Sequence, residues 1–494
     1  MPEKSTHNQI LKSTGIIGGS QVVIIIIGII RTKVLALILG PVGVGLAGLY
    51  QSVVNLVIMA TSFGISFSAV REIALASGTN DQVKISTTIL VIKRWLIVTG
   101  ILGALVTIIF CIPISQFTFG SSSYAPAIAL LSISVFLGII SSGQLALLQG
   151  LRMLELMAKV NILAALLGLL IAVPVYWYWG QTGIVPAILI GSLISLTLSW
   201  WYSKKVETVP VLLTIKDTFQ EGRMMIKFGL FSVITGLVDL GTMYIVRAFI
   251  AKQGGVEGVG QFTAAWTISS MYMSAIFTAM AADYYPRLSS VSNDNAQVRK
   301  MANEQTEIAI LISAPIIIGM ISFINILVHL FYSSKFDLAA TILNWQLAGD
   351  FFKVFKVLSW PIGFIFLVKG KGRQYIITSV AWNALYLMLV YVGWKFKGIE
   401  STGVAFAFAY LVVLLISYFM AKSTINFAWS SKCILFIMVF FPLLTLSTFN
   451  SIFLNGITQF FIGTIVSMAA MAFSYQQLKK LFDFNKIWAR LRLR

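Results

Sequence analysis

The chain has 494 residues, of which 58% are hydrophobic and only 11% are charged, and its formal net charge is +19. Ordinary soluble domains are about 45–50% apolar and about 25% charged, so this composition excludes a water-soluble globule of usual make-up. Because apolar runs extend from end to end, we predict an all-α polytopic membrane protein.

The first predicted element is a transmembrane hairpin. An apolar run from Ile16 to Ile30 ends at Arg31 and Lys33, and a second run extends from Leu46 to Val70. The helices predicted from these runs, at 14–30 and 42–68, are long enough to cross a bilayer, which needs roughly 17–25 residues. The glycine-rich turn between them, at 40–48, lacks the Gly-Lys-Ser/Thr ending of a phosphate-binding loop. We therefore expect it to provide tight turning and close helix packing.

The same reading predicts about fourteen transmembrane helices along the chain, at 14–30, 42–68, 87–112, 125–148, 157–178, 183–202, 225–250, 260–282, 306–331, 339–368, 375–394, 401–421, 432–449 and 452–475. With a cytoplasmic N-terminus, 27 of the 36 lysines and arginines fall on the inner side, six fall outside and three lie within helices. The positive-inside rule then predicts that both termini are cytoplasmic. This bias toward anionic lipid headgroups also accounts for the net charge, so no nucleic-acid partner is predicted.

The sequence contains an internal repeat. One shift of the sequence along itself places Arg31 on Arg247, and a shift shorter by a single position places Gly43 on Gly258. Several matches in order at nearly one offset indicate two homologous halves. We predict two parallel six-helix lobes around a central cavity, as in transporters that rock two halves about one site. The predicted boundaries are an N-terminal lobe at 1–205, a cytoplasmic linker at 206–223, a C-terminal lobe at 224–422, two extra helices at 430–478 and a basic cytoplasmic tail at 479–494.

Charged side chains inside the predicted spans are the candidates for function, since each is unfavourable there by about 2.5 to 3.5 kcal/mol on insertion scales. Asp350, Lys353 and Lys356 follow one another at a spacing of three, which places them on one helical face. Their excess of positive charge favours an anionic ligand such as a phosphate or pyrophosphate. The predicted substrate-binding cavity is lined by Arg31, Lys33, Gln51, Asn55, Asp239, Arg247, Asp350, Lys353 and Lys356.

Structural explanations compete with these assignments. A purely structural ion pair is the alternative role for Asp350 and Lys353. For Arg31 the alternative is a side chain that reaches back to the membrane interface. Gln51 and Asn55 share a helical face, where interhelical hydrogen bonding is an alternative role. The two cysteines, Cys111 and Cys433, are predicted at opposite membrane faces, so neither a disulfide nor a metal site is expected. No cofactor is predicted.

Several short motifs resemble a known family. Leu11 to Thr14, Arg31 to Lys33, Gly40 to Leu46 and Leu49 to Ser52 resemble the first hairpin of Wzx-type O-antigen translocases, and Leu148 to Arg152 resembles that family's turn after helix four. These translocases are flippases of the multidrug/oligosaccharidyl-lipid/polysaccharide exporter (MOP) superfamily. The resemblance implies a non-enzymatic flippase of the bacterial inner membrane, acting in lipopolysaccharide biosynthesis.

The implied substrate is an undecaprenyl-pyrophosphate-linked oligosaccharide, moved from the cytoplasmic to the periplasmic leaflet by alternating access. The resemblance also implies membrane lipids, a polysaccharide polymerase and a chain-length regulator as partners. Two alternatives belong to other classes. A multidrug or cation antiporter would require an acidic residue in the N-terminal lobe, where the predicted helices carry no mid-span Asp or Glu. A membrane-embedded polymerase or glycosyltransferase would require larger outer loops than this chain has.

Overall fold

The computed structural model describes residues 3–79, 81–291, 293–356, 372–454 and 456–481. These residues are mainly helical and include no strand, which confirms the predicted fold class. The α-helices, numbered in chain order, are α1 Glu3–Thr61, α2 Ile65–Ser77, α3 Gln82–Ile109, α4 Cys111–Phe119, α5 Ala125–Gly150, α6 Leu154–Trp179, α7 Ile184–Ser203, α8 Ile215–Ser290, α9 Asn295–Ser322, α10 Ile324–Phe331, α11 Asp337–Lys356, α12 Gly372–Lys397, α13 Ser401–Ile425, α14 Ser431–Phe453 and α15 Gly456–Leu481.

Nine helical segments of the described residues are long and apolar enough to cross a membrane. Four of them contain 39 to 50 residues. At 1.5 Å per residue, such lengths are about twice the roughly 30 Å hydrocarbon core, so each of these four holds two spans. The nine segments thus account for thirteen of the predicted spans. The other one, predicted at 339–368, begins in α11 and extends partly outside the described ranges.

Two long helices bend at a glycine. Gly40 in α1 has φ 64° and ψ −166°, and Gly255 in α8 has φ 72° and ψ 174°. This backbone region is almost restricted to glycine because a Cβ atom would clash there. The bend in α1 confirms the tight turn predicted at 40–48, but the helix continues up to Gly40 where a loop after residue 30 was expected.

Two other predicted spans are interrupted. The helix predicted at 42–68 stops at Thr61, because Gly64 adopts a left-handed conformation before α2 begins. The helix predicted at 306–331 stops at Ser322, and α10 follows it as a separate short helix. In both cases the apolar run continues through the break, so hydropathy alone gave no signal of it.

The order of elements repeats along the chain. The bend at Gly255 follows the bend at Gly40 at the same offset that relates Gly258 to Gly43. Helices α3 and α9 each contain 28 residues, and each begins directly after an aspartate, Asp81 or Asp294. Both aspartates accept hydrogen bonds from two backbone N–H groups of the first turn, as N-cap residues do. The repeat seen in the sequence is therefore also present in the elements.

By their contacts, the residues form two compact units. The first comprises Met1–Thr263 with Phe331–Lys335, and the second comprises Ala264–Leu330 with Phe336–Arg494. In the first unit, the segment after α7 is held along α3. Arg94 donates to the Leu213 carbonyl at 3.1 Å, and the Val209 N–H donates to the Ser86 hydroxyl at 2.9 Å. The predicted lobe boundaries at 205 and 224 remain predictions.

In the second unit, α14 and α15 pack on α9. The hydroxyls of Ser322 and Ser447 lie 2.9 Å apart, and the Ser474 hydroxyl donates to the Leu311 carbonyl. Polar contacts between small side chains and backbone are a common means of joining helices in membranes. They attach the two extra helices to the interior of the second unit.

Candidate functional site

The polar pair predicted on the second half of α1 is formed within that helix. The Gln51 side-chain amide donates to Asn55 Oδ1 at 2.9 Å, and both side chains are exposed. The i, i+4 spacing explains this contact, since such residues are neighbours on a helix surface. Together they present an amide surface that can offer both donors and acceptors to a polyhydroxyl ligand such as a sugar. Their role in a cavity remains a prediction.

Arg247 of α8 contacts the same part of α1. Its Nη1 donates to Ser52 Oγ at 2.7 Å, and the Ser52 hydroxyl in turn donates to the Gly48 carbonyl at 2.6 Å. Ser52 is nearly buried, with 7% of its surface exposed, whereas Arg247 is half-buried. The contact orients the guanidinium toward α1.

The other charges of the first unit are accessible. Arg31 is exposed and Lys33 is half-buried, and both lie in α1 before its bend at Gly40. Asp239 is exposed on α8. It lies eight residues before Arg247, or about 12 Å along the helix at 1.5 Å per residue. An exposed acid at this depth of a predicted span fits a water-filled surface better than a lipid-facing one.

The second unit contains the most enclosed predicted residue. Asp350 of α11 is fully buried. Ser269 of α8 donates to its Oδ2, and Lys353 Nζ lies 3.7 Å from its Oδ1. An ionised carboxylate is tolerated in such a place only when it is paired and hydrogen-bonded, and both conditions are met here. Asp350 and Lys353 therefore form the pair that their spacing predicts.

Lys353 differs from its partner in exposure. Its side chain is 28% exposed, and Nζ also lies 5.7 Å from the centre of the Tyr410 ring of α13. A cation within about 6 Å of an aromatic face is attracted by the ring. The ammonium group is thus held between a carboxylate and an aromatic ring and still reaches a surface. The side chain of Lys356 lies outside the described residues.

Tyr410 belongs to a cluster of aromatic rings in the second unit. Trp382 stacks on Tyr386 with 5.3 Å between ring centres, and Tyr410 lies 5.0 Å from Trp382 and 4.7 Å from Phe406. Tilted and edge-to-face rings at these distances pack favourably. These contacts hold the Tyr410 ring in the position in which it faces Lys353.

A separate apolar groove lies in the second unit. Two cavities of about 510 and 470 Å³ share Phe352, Leu411 and Phe441 in their linings. The larger one is lined by helices α11, α13 and α14, with Lys397 and Glu400 as its charged residues. Of the eight predicted site residues whose side chains are described, none lines either cavity. The groove is therefore distinct from the Asp350–Lys353 pair. Its lining suits apolar chains rather than a charged headgroup.

Comparison with known proteins assigns the chain to a family. Residues 34–341, more than half of its length, match the family described as "Polysaccharide biosynthesis protein". The chain belongs to this polysaccharide biosynthesis family. One curated relative of the chain is the lipid III flippase of Escherichia coli strain K12. The two sequences are 26% identical over 393 residues, which cover 77% of this chain and 90% of the relative. The probable low-salt glycan biosynthesis flippase Agl15 of Haloferax volcanii is 22% identical over 62% of this chain and 66% of the relative.

Two solved transporter structures share the fold of this chain. The lipid II flippase MurJ, in an inward closed conformation, covers 93% of this chain and 98% of its own, with a TM-score of 0.69 and 14% identity. An inward-facing multidrug resistance transporter of the MATE family and the MOP superfamily covers 82% and 94%, with a TM-score of 0.67 and 17% identity. The chain has the fold of a polytopic membrane transporter of the MOP superfamily, as the sequence motifs predicted.

The sequence alone identified the charged residues of the candidate site. It did not identify the neighbouring side chains that contact them. Ser52, Ser269 and Tyr410 contact Arg247, Asp350 and Lys353, respectively. Serine and tyrosine are common in transmembrane helices, where most hydroxyls bond to their own helix. No spacing rule singles these three out, because each contact joins helices that are far apart in the sequence.

Proposed function

We propose that the chain is a flippase for an undecaprenyl-pyrophosphate-linked oligosaccharide of the O-antigen type, moving it from the cytoplasmic to the periplasmic leaflet of a bacterial inner membrane. Membership of a polysaccharide biosynthesis family, relatives named as flippases and the shared MOP fold support transport of a lipid-linked oligosaccharide. On this proposal the chain supplies a path and carries out no covalent chemistry.

The observation that carries the proposal is that cations in its spans are oriented by neighbouring side chains and yet accessible. Arg247 is oriented by the Ser52 hydroxyl, and Lys353 lies between Asp350 and the Tyr410 ring. A pyrophosphate cannot enter hydrocarbon without compensating partners, since an isolated buried charge is very unfavourable. Guanidinium and ammonium groups are the side chains that best supply this compensation.

The proposed mechanism is alternating access of two lobes. The sugar and pyrophosphate enter a cavity lined by the charged residues and by the amides of Gln51 and Asn55, while the lipid tail stays in the bilayer. The proposed orientation has both termini in the cytoplasm, as the distribution of lysine and arginine predicts. A polysaccharide polymerase and a chain-length regulator are the proposed downstream partners.

The deciding experiment is deletion of the gene with a complemented control, followed by a leaflet-specific probe of the lipid-linked sugar. Build-up on the cytoplasmic leaflet together with loss of surface polysaccharide is expected. Normal appearance of single repeat units on the periplasmic leaflet would show that translocation does not depend on this chain, and would favour a polymerase.

Charge reversal tests the residues. Arg247→Glu and Lys353→Glu are each expected to abolish glycan export without loss of membrane insertion, because each places a repulsive charge where the pyrophosphate binds. Lys395→Glu is the matched control. The Nζ of Lys395 lies 5.9 Å from the Tyr391 ring on α12, and Lys395 is not among the predicted site residues. The substitution Lys395→Glu changes the charge by the same amount as the two test substitutions. Normal export by well-expressed Arg247→Glu and Lys353→Glu proteins would contradict the cavity.

A multidrug or cation antiporter is the second candidate, because the fold is shared with multidrug resistance transporters of the MATE family. Dye efflux from cells with and without the chain separates the two. Energy-dependent efflux that survives loss of the lipid-linked sugar would favour the antiporter.

A further inference from the structure

The stretch that joins α7 to α8, residues 204–223, is fixed along α3, and we call it the junction segment. Arg94 Nη1 donates to the Thr218 hydroxyl at 2.7 Å, and Trp95 Nε1 donates to the Thr218 carbonyl at 3.0 Å. A Cβ atom on Gly222 would lie 1.7 Å from Trp95 Nε1, so the indole ring packs directly on the backbone of α8. One side of the junction segment is therefore held by the protein.

Three large apolar side chains of the junction segment are left uncovered. Leu212 is fully exposed, Ile215 is 86% exposed and Phe219 is 60% exposed. Ile215 and Phe219 share one side of α8 because they are four residues apart, and Leu212 directly precedes that helix. The neighbouring side of the helix is buried at Thr218 and Gly222. Single exposed apolar residues are ordinary, but three together form a patch that is typical of a partner or membrane surface.

Tryptophans at both ends of the junction segment indicate its depth. Trp200 and Trp201 are exposed in the last turn of α7, and the segment begins just after them. Trp95 contacts the other end of the segment at Thr218. Tryptophan is enriched at the level of the lipid headgroups. In the predicted orientation, the segment therefore runs along the inner membrane interface, where the apolar patch meets lipid.

Basic side chains border the apolar patch. Consecutive residues of a helix are about 100° apart around its axis. Measured from Ile215, Arg223 and Lys216 lie at roughly 80° and 100°, beside the patch, and both are exposed. The acidic residues Asp217 and Glu221 lie at roughly 200° and 240°, on the far side. The charge that adjoins the patch is therefore positive.

Two more cations lie at the beginning of the junction segment. Lys204 Nζ lies 3.5 Å from the centre of the Trp200 ring, and Lys205 Nζ lies 5.0 Å from the centre of the Tyr202 ring. Both lysines are exposed. An ammonium group that rests on an aromatic ring keeps its charge and its remaining donors, so it can still bind a phosphate. An apolar patch with cations along its border is the arrangement of helices that bind anionic membranes.

We propose that the junction segment is a binding site for anionic phospholipids of the inner leaflet. The apolar patch enters the boundary between headgroups and acyl chains, and Lys216 and Arg223 contact the lipid phosphates. A phospholipid surface supplies both an apolar and an anionic partner, whereas a soluble anion would leave the patch in water. The proposal goes beyond the flippase function and does not depend on it.

Fluorescence quenching by lipid tests the insertion. The full chain carries Cys111→Ala and Cys433→Ala, and a single cysteine, Leu212→Cys or Ile215→Cys, is labelled with an environment-sensitive dye. The protein is placed in bilayer discs of phosphatidylcholine with brominated acyl chains, with and without phosphatidylglycerol. Gln220→Cys is the matched control, because Gln220 is also exposed but lies about 140° around the axis from Ile215.

The dyes at positions 212 and 215 are expected to be quenched more strongly than the dye at 220, and their quenching is expected to increase with phosphatidylglycerol. Quenching no stronger than at 220, together with access of both dyes to aqueous iodide, would overturn the proposal. The patch would then be a surface for a soluble protein partner.

Removal of one basic charge tests the headgroup contact. A basic residue near an anionic surface contributes about fivefold to affinity. Lys216→Gln is therefore expected to raise the share of phosphatidylglycerol needed for half-maximal quenching at 212 by up to about fivefold. Glu221→Gln changes a side chain on the far side and is expected not to raise this share. An unchanged share in Lys216→Gln and in Arg223→Gln would overturn the recognition of anionic headgroups.

Discussion

Helices α3 and α9 occupy the same place in the two halves of the repeat, yet they lie in different surroundings. Of the 18 most apolar consecutive residues of α3, 39% are buried within the protein. In α9 the corresponding share is 72%. The residues show the contrast directly. Leu105 on α3 is 49% exposed, and Ile318, which holds the equivalent position on α9 when the two helices are aligned from their first residues, is fully buried.

The cause is the pair of helices that only the second half possesses. Helices α14 and α15 cover the face of α9 that corresponds to the exposed face of α3. The Ser447 hydroxyl, for example, donates to the Ile318 carbonyl at 3.2 Å. An apolar residue on either helix avoids water, but on α3 its neighbours are lipid and on α9 they are protein. Equivalent positions in a repeat can therefore have unequal importance for stability.

The largest expected effect comes from truncating this equivalent pair. Ile318→Ala leaves a cavity among packed helices and is expected to lower the free energy of unfolding by about 2–5 kcal/mol. Leu105→Ala replaces a lipid-facing side chain and is expected to change it by less than about 0.5 kcal/mol. Denaturant unfolding of the purified protein in detergent measures both. Equal losses would show that the cover provided by α14 and α15 is not what distinguishes the two helices.

A smaller effect is expected in the first halves of the same helices. Glu307 on α9 is 6% exposed and accepts a hydrogen bond of 2.6 Å from the Ser430 hydroxyl, which fixes the segment leading to α14. Glu307→Ala removes a charged acceptor and is expected to lower the free energy of unfolding by about 1.5–3 kcal/mol. Glu307→Gln keeps an acceptor oxygen and serves as the control.

The equivalent residue on α3 is Arg94, which holds the segment leading to α8. Arg94 is only half-buried. Water can therefore replace part of its contacts, and Arg94→Ala is expected to lower stability by about 0.5–1.5 kcal/mol. A larger loss at Arg94 than at Glu307 would reverse the comparison.

The bends provide a case in which the two halves are expected to respond alike. A Cβ atom at Gly40 or Gly255 would meet nothing within 4 Å, so Gly40→Ala and Gly255→Ala test backbone strain alone. The strain of about 1–3 kcal/mol is partly offset by the lower entropy of the unfolded alanine chain, which leaves about 1–2 kcal/mol net. Thermal unfolding of the two variants measures it. A clear difference between them would show that the bends are not equivalent.

The sequence predicted the class of fold because hydropathy and the positive-inside bias act residue by residue. It also revealed the repeat and the turn at Gly40, since glycine is required where φ is positive. It did not predict that Thr61 would end a helix within an apolar run, or that Gly45 would meet Val256. Nor did it distinguish the neighbours of α3 from those of α9. These features depend on contacts between distant segments, which local composition does not encode.

The smallest expected effect tests a feature that α3 and α9 share, the aspartate before each helix. Hydrogen bonds from the backbone N–H groups of Gln297 and Ala296 hold the pKa of Asp294 below its ordinary value. A carboxyl group with a lowered folded-state pKa contributes stability at neutral pH and loses that contribution as pH falls through the folded value. Asp294→Asn keeps a capping side chain that does not titrate. The wild type is therefore expected to melt at a slightly higher temperature than this variant at pH 7. The difference is expected to decline once the pH falls below about 3.9, the ordinary pKa of an aspartate, and to be lost only below the lowered folded-state pKa. A difference that stayed constant from pH 7 to pH 3 would mean that the charge of Asp294 has no part in capping α9.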